Sequence, residues 1–419
     1  SKHIAMKHFL TVILVLGLLG CSEKPQKESS VSDEVLMTQA RALALKYIIT
    51  DGHVDLPYRM LEKGFMQRGI YEDVSIETDG DFDYPKAKKG GLDAPFMSIY
   101  VPADYQKLGG AKQFADSLID MVTKLPIAFP GLFALANDPT EISSNFEKGL
   151  ISLPMGMENG APIESEITNV KYFFERGIRY ITLTHSTDNL ICDSSYDTSE
   201  DTWNGLSPFG EQVVLEMNKW GIMVDVSHIS DSAFYDVMKI IKAPPIASHS
   251  SCRSFTPGFM RNMDDDMIKL LADKGGVIQI NFGSSFLSKV AQDQFNDLRE
   301  HLRKYLEDND LTETDPTYLN YEAKYTQEMN PFEDIKTVVD HIDHVVAITG
   351  IDHVALGSDF DGVGNSLPKG LKDVSMYPNL IYELLVRGYS EADIAKICYQ
   401  NVFRVWEENI RIAKKIQVI

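Results

Sequence analysis

The stretch YIITDGHVDLP (47–57) ends an apolar run on an imidazole and a carboxylate, His53 and Asp55. The pattern recurs down the chain. Glu158 follows LISLPMGM (150–157), His185 follows YITLT (180–184), and His228 follows IMVDVS (222–227). His249 follows PIAS (245–248), and Asp359 with Asp361 follows VALGS (354–358). Of 10 histidines, four therefore stand at the ends of separate runs. Taken singly, a histidine after a strand is more often a hydrogen-bonded core residue, and Asp51 and Asp361 read equally well as turn-formers. Taken together, four imidazoles and several carboxylates in one concave place would suffer desolvation and mutual repulsion. A metal removes both penalties. Nitrogen and carboxylate donors without thiolate favour zinc, with manganese or cobalt as substitutes.

The runs that carry these residues, with FMSIYV (96–101) and GVIQINF (276–282), number eight. Most are continuous rather than alternating, as suits strands buried on both faces. Helical patterns lie between them at 109–124, 166–176, 207–220, 231–241, 264–274 and 333–349. Eight strands with helical crossovers predict an α/β fold, the (β/α)8 TIM barrel, in which every strand end opens on one mouth. Ser32 is placed as the N-cap of a helix ahead of the first strand. NLIYELLVRG and SEADIAKICYQNVFRVWEENIRIAKKI predict extra C-terminal helices, the latter opening on Ser390 and Asp393 in capping-box spacing. The segments 56–95 and 283–332 are long for barrel loops, and such loops usually carry function or cover a site. His341 and His344, i and i+3 in DHIDHVV, fall on the outer helix before the eighth strand, and His353 starts that strand; all three read as structural.

This barrel accounts for 35–419 as a single domain. Ahead of it, Lys2 and Lys7 precede FLTVILVLGLL (9–19), too short to span a bilayer, and the run ends in Leu18-Leu19-Gly20-Cys21. Residues 1–21 thus read as a signal peptide whose end resembles a bacterial lipobox, with Cys21 the lipidated residue, and 22–34 as a flexible tether. The expected location is the bacterial cell envelope, outside the cytoplasm, with membrane attachment through the lipid alone. Beyond Cys21, only Cys192, Cys252 and Cys398 remain, with no CxxC, so neither a disulfide framework nor a cysteine zinc site is expected. The net charge of −21 repels phosphate backbones and argues against a nucleic-acid partner.

With these residues in view, the chain resembles the renal-type (membrane) dipeptidases, binuclear zinc peptidases on a TIM barrel. The resemblance rests on DGHVDLP, GGLDAPFMSIYVP, GMENG, RYITLTH, DVSHIS, ASHSSCR, the RN at 261–262, GSDFDGV, LKDVSMYPNLIYELLVRGYSEADIAKI and NVFRVWE, in order from about 47 to 407. It implies that His53 and Asp55 hold one zinc, His228 and His249 a second, and that Glu158 bridges them. It further implies that His185 meets the substrate carbonyl, Arg261 the substrate carboxylate, and Asp359 the proton. The implied activity is hydrolysis of free dipeptides, including those with a D-residue second, by attack of a metal-bridging hydroxide on the peptide carbonyl. Two metal ions bring the pKa of a shared water to roughly 7. The chain departs from the family pattern at Asn159, where many relatives have glycine, and in the spacing from His249 to Arg261, which leaves Arg253 as a competitor for the clamp. Another binuclear amidohydrolase, lactamase- or deacylase-like, and a non-catalytic lipid-anchored metal-binding protein stay open as readings. A homodimer is compatible with any of them.

Overall fold

The structure, a computed structural model, describes residues 32–62 and 72–418. The signal segment, Cys21 and the tether up to residue 31 lie outside the described residues. Eight parallel strands form one sheet: β1 (Ile49–Val54), β2 (Leu92–Tyr100), β5 (Met155–Glu158), β6 (Ile178–Thr182), β7 (Met223–Asp225), β8 (Ile246–Ala247), β9 (Val277–Ile280) and β10 (Val354–Leu356), paired in that order. The ends meet through a parallel bridge between Val54 and Phe360, so the sheet closes into the expected barrel. The closing hydrogen bonds, Asp359 N to His53 O (3.1 Å) and Asp55 N to Phe360 O (2.9 Å), belong to candidate site residues themselves.

One predicted strand divides. The run 150–157 breaks at Pro154, which has no N–H to give to a ladder. Its first half, β4 (Ile151–Leu153), pairs with β3 (Phe133–Leu135) in a separate two-stranded sheet, while β5 carries Glu158 into the barrel. The runs at 222–227 and 245–248 also contract, to β7 and β8. Beyond these strands the backbone donors turn to a buried carboxylate: Ser227 N and Ser248 N both donate to Asp225 Oδ1, at 3.1 and 2.8 Å.

The barrel floor is filled by Phe96, Tyr180, Met223, Ile246, Val277 and Ala355, which pack with Val402 and Trp406 of the helix Asn401–Val418. The Trp406 and Phe96 rings lie 5.3 Å apart. Fully burying one such side chain contributes roughly 1.5–3 kcal/mol, so the C-terminal helix plugs the end of the barrel opposite the site. Gly156 is required here, because a Cβ would lie 2.0 Å from the Tyr180 ring. Around the barrel run helices Ala111–Ala128, Thr168–Glu175, Pro208–Trp220, Asp231–Ile240, Asp265–Asp273 and Ile335–Thr349, within a few residues of their expected bounds. Ser32 caps the first helix, Asp33–Lys46, and Ser390 and Asp393 form the capping box.

The segment 283–332 is largely helical, with Lys289–Asn309 and Pro316–Met329 folded on a small core of Phe295, Leu298, Leu302 and Tyr318. Cys192, Cys252 and Cys398 are free and buried. His341 Nδ1 accepts from Cys252 N (3.0 Å), His344 pairs with Asp265 (2.7 Å), and His353 meets Gly276 O (2.8 Å), so these three are structural as expected. Among the described residues no helix is long and apolar enough to cross a membrane.

Candidate metal centre

The strand ends converge on Glu158, the last residue of β5 and 4% exposed. Its two oxygens face different partners. Oε2 lies 3.2 Å from His53 Nε2, whereas Oε1 lies 3.0 Å from His228 Nε2 and 3.2 Å from His249 Nε2. His53 Nε2 is also 3.3 Å from Asp55 Oδ2 and 3.9 Å from Asp359 Oδ1. His185 Nε2 stands 3.6 Å from Glu158 Oε1. Two donors bound at about 2.0–2.1 Å to one tetrahedral ion are separated by about 3.3 Å, close to most of these spacings. The triads His53, Asp55, Glu158 and Glu158, His185, His228 and His53, His249, Asp359 each bring their donor atoms within 4.8 Å of one another.

Other observations fit an ion. Among the described residues the buried His53 Nε2 and Asp55 Oδ1 make no well-aligned hydrogen bond, the former despite two carboxylate oxygens within 3.3 Å, which is costly for polar atoms unless something else satisfies them. At Gly362 a Cβ would fall 2.1 Å from Asp55 Oδ2 and 2.3 Å from Asp359 Oδ1, so only glycine leaves these carboxylates their room. Burial, reinforced by Arg261, holds His228 and His249 well below the ordinary imidazole value and keeps their lone pairs available. Burial alone would raise Glu158, but His53, His185, His228 and His249 hold it well below the usual carboxylate range. Burial pushes Asp359 up to about 7, with His53 opposing and Asp55 and Glu158 adding to the rise.

The loops that present these groups are constrained. His228, Asp359, Asp361 and Asn159 all adopt left-handed backbone, with φ of 73°, 64°, 65° and 81°. That conformation costs most L-residues roughly 1–2 kcal/mol, and Asn, Asp and His tolerate it best. Asn159 shows how a non-glycine residue manages it: Nδ2 donates to Val101 O (2.9 Å) and Gln106 Oε1 (2.8 Å), and Oδ1 accepts from Ala161 N (3.1 Å). Behind the donors sits a shell that the run-end pattern does not reveal. Tyr180 Oη lies 2.9 Å from His53 Nδ1 and donates to Gly52 O at 2.9 Å. Ser248 Oγ lies 2.7 Å from His249 Nδ1, and Asn281 Nδ2 donates to Asp359 Oδ2 at 2.9 Å. Asp51 takes the N–H groups of His53 and Ser358 at 3.0 and 2.9 Å, and the Tyr377 hydroxyl. The available signal was a carboxylate placed inside or directly at the end of an apolar run, as at Asp225 and Asp51.

A cavity of about 920 Å³ opens over the cluster and is lined by Asp55, Glu158, His185, His228, Arg261 and Asp359, among others. Its outer wall comes from the helical pair, through Gln292, Asn296, Arg299 and Glu322, so 283–332 covers the mouth as its length suggested. Arg261 is 3% exposed and donates to Ser250 Oγ and His249 O, both at 2.8 Å. Among the described residues its Nε has no hydrogen-bond partner and no carboxylate pairs with it. Arg253 points elsewhere, in a two-pronged pair with Asp231 at 2.6 and 2.8 Å. Asp361 likewise is tied down, by Arg59 Nη1 (2.7 Å) and by Asp81, the backbone N–H of each aspartate donating to the other's carboxylate.

The family model for membrane dipeptidase, peptidase family M19, matches residues 37–419. The chain belongs to this family. It is a metallo-dipeptidase-type hydrolase, with His, Asp and Glu clusters able to bind metal. Among solved structures it is similar to a probable dipeptidase, PvdM, from Pseudomonas aeruginosa, at 27% identity and a TM-score of 0.76, over 90% of this chain and 99% of that one. It is similar also to dipeptidase AC, a metallopeptidase of the same family, at 25% identity and a TM-score of 0.69, over 87% and 98%. A third, the metallopeptidase from Rhodobacter sphaeroides liganded with a phosphinate mimic of the dipeptide L-Ala-D-Ala, has 24% identity, a TM-score of 0.69 and coverage of 87% and 99%, and shares the fold.

Proposed function

We propose that this chain is a dizinc dipeptidase acting on free dipeptides and accepting a D-residue at the second position. One observation carries the reading: the two oxygens of Glu158 face separate donor sets, His53 with Asp55 on one side and His228 with His249 on the other. In it, His53, Asp55 and Glu158 hold one zinc, and Glu158, His228 and His249 the other. Zinc bound there would acidify a water to a pKa of about 7 and polarise the scissile carbonyl.

The remaining work falls to side chains. His185, its side chain 21% exposed at the cavity wall, donates to the carbonyl oxygen as negative charge develops on it. Asp359 takes the proton of the attacking water and returns it to the leaving amine, with Asn281 fixing the orientation of its carboxyl. Arg261 grips the substrate's free carboxylate. Among the described residues no carboxylate pairs with Arg261, whose fork donates only to the neutral acceptors Ser250 Oγ and His249 O, whereas the Arg253 fork is already occupied by Asp231. A carboxylate held there places the last peptide bond, and no interior one, at the metals, which favours a dipeptidase over an endopeptidase.

The decisive experiment is a panel of LL- and LD-dipeptides assayed with zinc and with chelator, alongside metal content. Two zinc equivalents with chelator-sensitive dipeptide turnover are expected. Turnover unaffected by complete metal removal overturns the reading, and so does a fully active protein with one ion. Exported, lipid-anchored placement in the cell envelope through Cys21 belongs to the same proposal, supported by the h-region and the Leu18-to-Cys21 pattern. Membrane fractions of cells expressing the full precursor should retain the protein through a salt wash. Release by salt alone argues for a plain secreted form.

A further inference from the structure

We infer that Asp225 and Ser248 are positioning residues which fix the proton of His249 on Nδ1 and so aim the Nε2 lone pair at the metal position. The inference rests on the metal reading above. It follows from counting protons along one chain of contacts. Asp225 is fully buried on β7, and its Oδ1 accepts the backbone N–H groups of Ser248 (2.8 Å) and Ser227 (3.1 Å). Its Oδ2 faces two hydroxyls, Ser248 Oγ at 2.6 Å and Thr182 Oγ1 at 2.5 Å. Burial raises Asp225, but the two N–H groups and two hydroxyls that converge on it oppose the rise and favour the ionised form. That carboxylate has no proton to give, so the single Ser248 hydroxyl proton goes to Asp225. Ser248 Oγ can then only accept from His249 Nδ1, 2.7 Å away, and Nδ1 must carry the hydrogen.

That leaves Nε2 bare. It lies 3.2 Å from Glu158 Oε1 and 2.9 Å from His228 Nε2, in the middle of the donor set. A metal ligand oriented this way through its far nitrogen gains basicity and loses rotational freedom. The same logic is repeated at His53, where Tyr180 Oη is 2.9 Å from Nδ1 and 2.9 Å from Gly52 O, an atom that can only accept. Two histidines from different strands are thus each backed by a hydroxyl whose own proton is committed elsewhere.

Asp225→Asn is the incisive variant, because the two backbone N–H groups keep the amide oxygen at the Oδ1 position and turn the NH₂ toward Ser248 Oγ. The relay then reverses: Ser248 donates to His249 Nδ1, and the proton moves to Nε2, where the metal should be. Ser248→Ala only releases the imidazole. Zinc affinity, measured by competition with a chromophoric chelator, should fall about 10–100-fold in Asp225→Asn, and by less in Ser248→Ala. Nitrogen-15 histidine NMR on the zinc-free protein supplies a readout that a merely structural role would not move. His249 should carry its proton on Nδ1 in the wild type, on Nε2 in Asp225→Asn, and on both in turn in Ser248→Ala. A wild-type His249 protonated on Nε2 overturns the inference, and so does an Asp225→Asn protein that binds zinc as tightly as wild type. If Asp225→Asn does not fold, an unchanged tautomer in Ser248→Ala overturns it instead. Wild type that binds no zinc refutes the metal reading, while the zinc-free spectra still decide the relay.

Discussion

Gly362→Ala probes the candidate metal centre with a single methyl group. Gly362 follows Asp359 and Asp361 in the eighth strand-end loop, and its backbone is not in the left-handed region, so alanine is tolerated by the chain itself. The conflict lies in space. The added Cβ would sit 2.1 Å from Asp55 Oδ2 and 2.3 Å from Asp359 Oδ1, where contacts below 3.0 Å are essentially never observed. Opening these contacts to 3.0 Å moves the carboxylates by about 0.9 and 0.7 Å. Both are buried, so the displacement is taken up at the proposed metal ligand, Asp55, and at the proposed proton carrier, Asp359. A misplacement of about 1 Å in a reacting centre costs on the order of 10²-fold in rate. We therefore expect kcat/KM for a dipeptide to fall about 100-fold with reduced metal content, while the melting temperature of the metal-free protein stays close to wild type. Gly131→Ala, where nothing lies within 4 Å of the new Cβ, is the control. Wild-type turnover and metal content in Gly362→Ala would refute the placement of Asp55 and Asp359 around a shared centre.

Three further outcomes follow from the same geometry. Asp359→Asn should keep its metal while kcat falls about 10²–10⁴-fold; loss of metal instead, read by elemental analysis, would make Asp359 a ligand, as its proximity to His53 and His249 also permits. Amidating the substrate's C-terminus should cost about 2–5 kcal/mol in kcat/KM, Arg261→Ala should lose as much with the free acid and little more with the amide, and Arg253→Ala should show no such coupling; additive losses would rule out the Arg261 clamp. Asp93 is buried and accepts from Ile49 N at 3.2 Å, and burial pushes its carboxyl up to about 7. A raised folded-state value means that the native protein holds this proton longer, so its contribution is fully present below about pH 4 and is lost as pH rises through 7. Asp93→Asn keeps the acceptor without the charge, and in metal-free denaturant titrations its advantage over wild type should grow between pH 4 and 8 by up to about 4 kcal/mol; a difference that does not change with pH would show that Asp93 titrates normally.

The barrel and most of its mouth were legible in the sequence for a physical reason. Strands buried on both faces must be short apolar runs, and a parallel barrel sends every run end to the same side. His53, Asp55, Glu158, His185, His228, His249 and Asp359 could thus be grouped without knowing a single contact. Amphipathic periodicity likewise placed the outer helices, and the capping residues Ser32 and Ser390 marked their starts. The helices within 283–332 were missed because their apolar stripe is narrow and surrounded by charge; the stripe becomes a core only when Phe295 and Leu298 meet Tyr318 across a turn. Pro154 could be read as a break, but that the two halves of its run join different sheets depends on which partner each finds. The choice between Arg253 and Arg261 was also tertiary, since both follow His249 in one loop and only packing gives Asp231 to the first. The division of the Glu158 oxygens, the room left by Gly362 and the proton chain from Asp225 through Ser248 join residues from different strands. Residue type and order along the chain determine which groups reach the mouth. Distances of 2.6 to 3.3 Å between those groups arise only when the barrel closes, because closure alone fixes the strands' mutual stagger and with it the direction of every side chain at the rim.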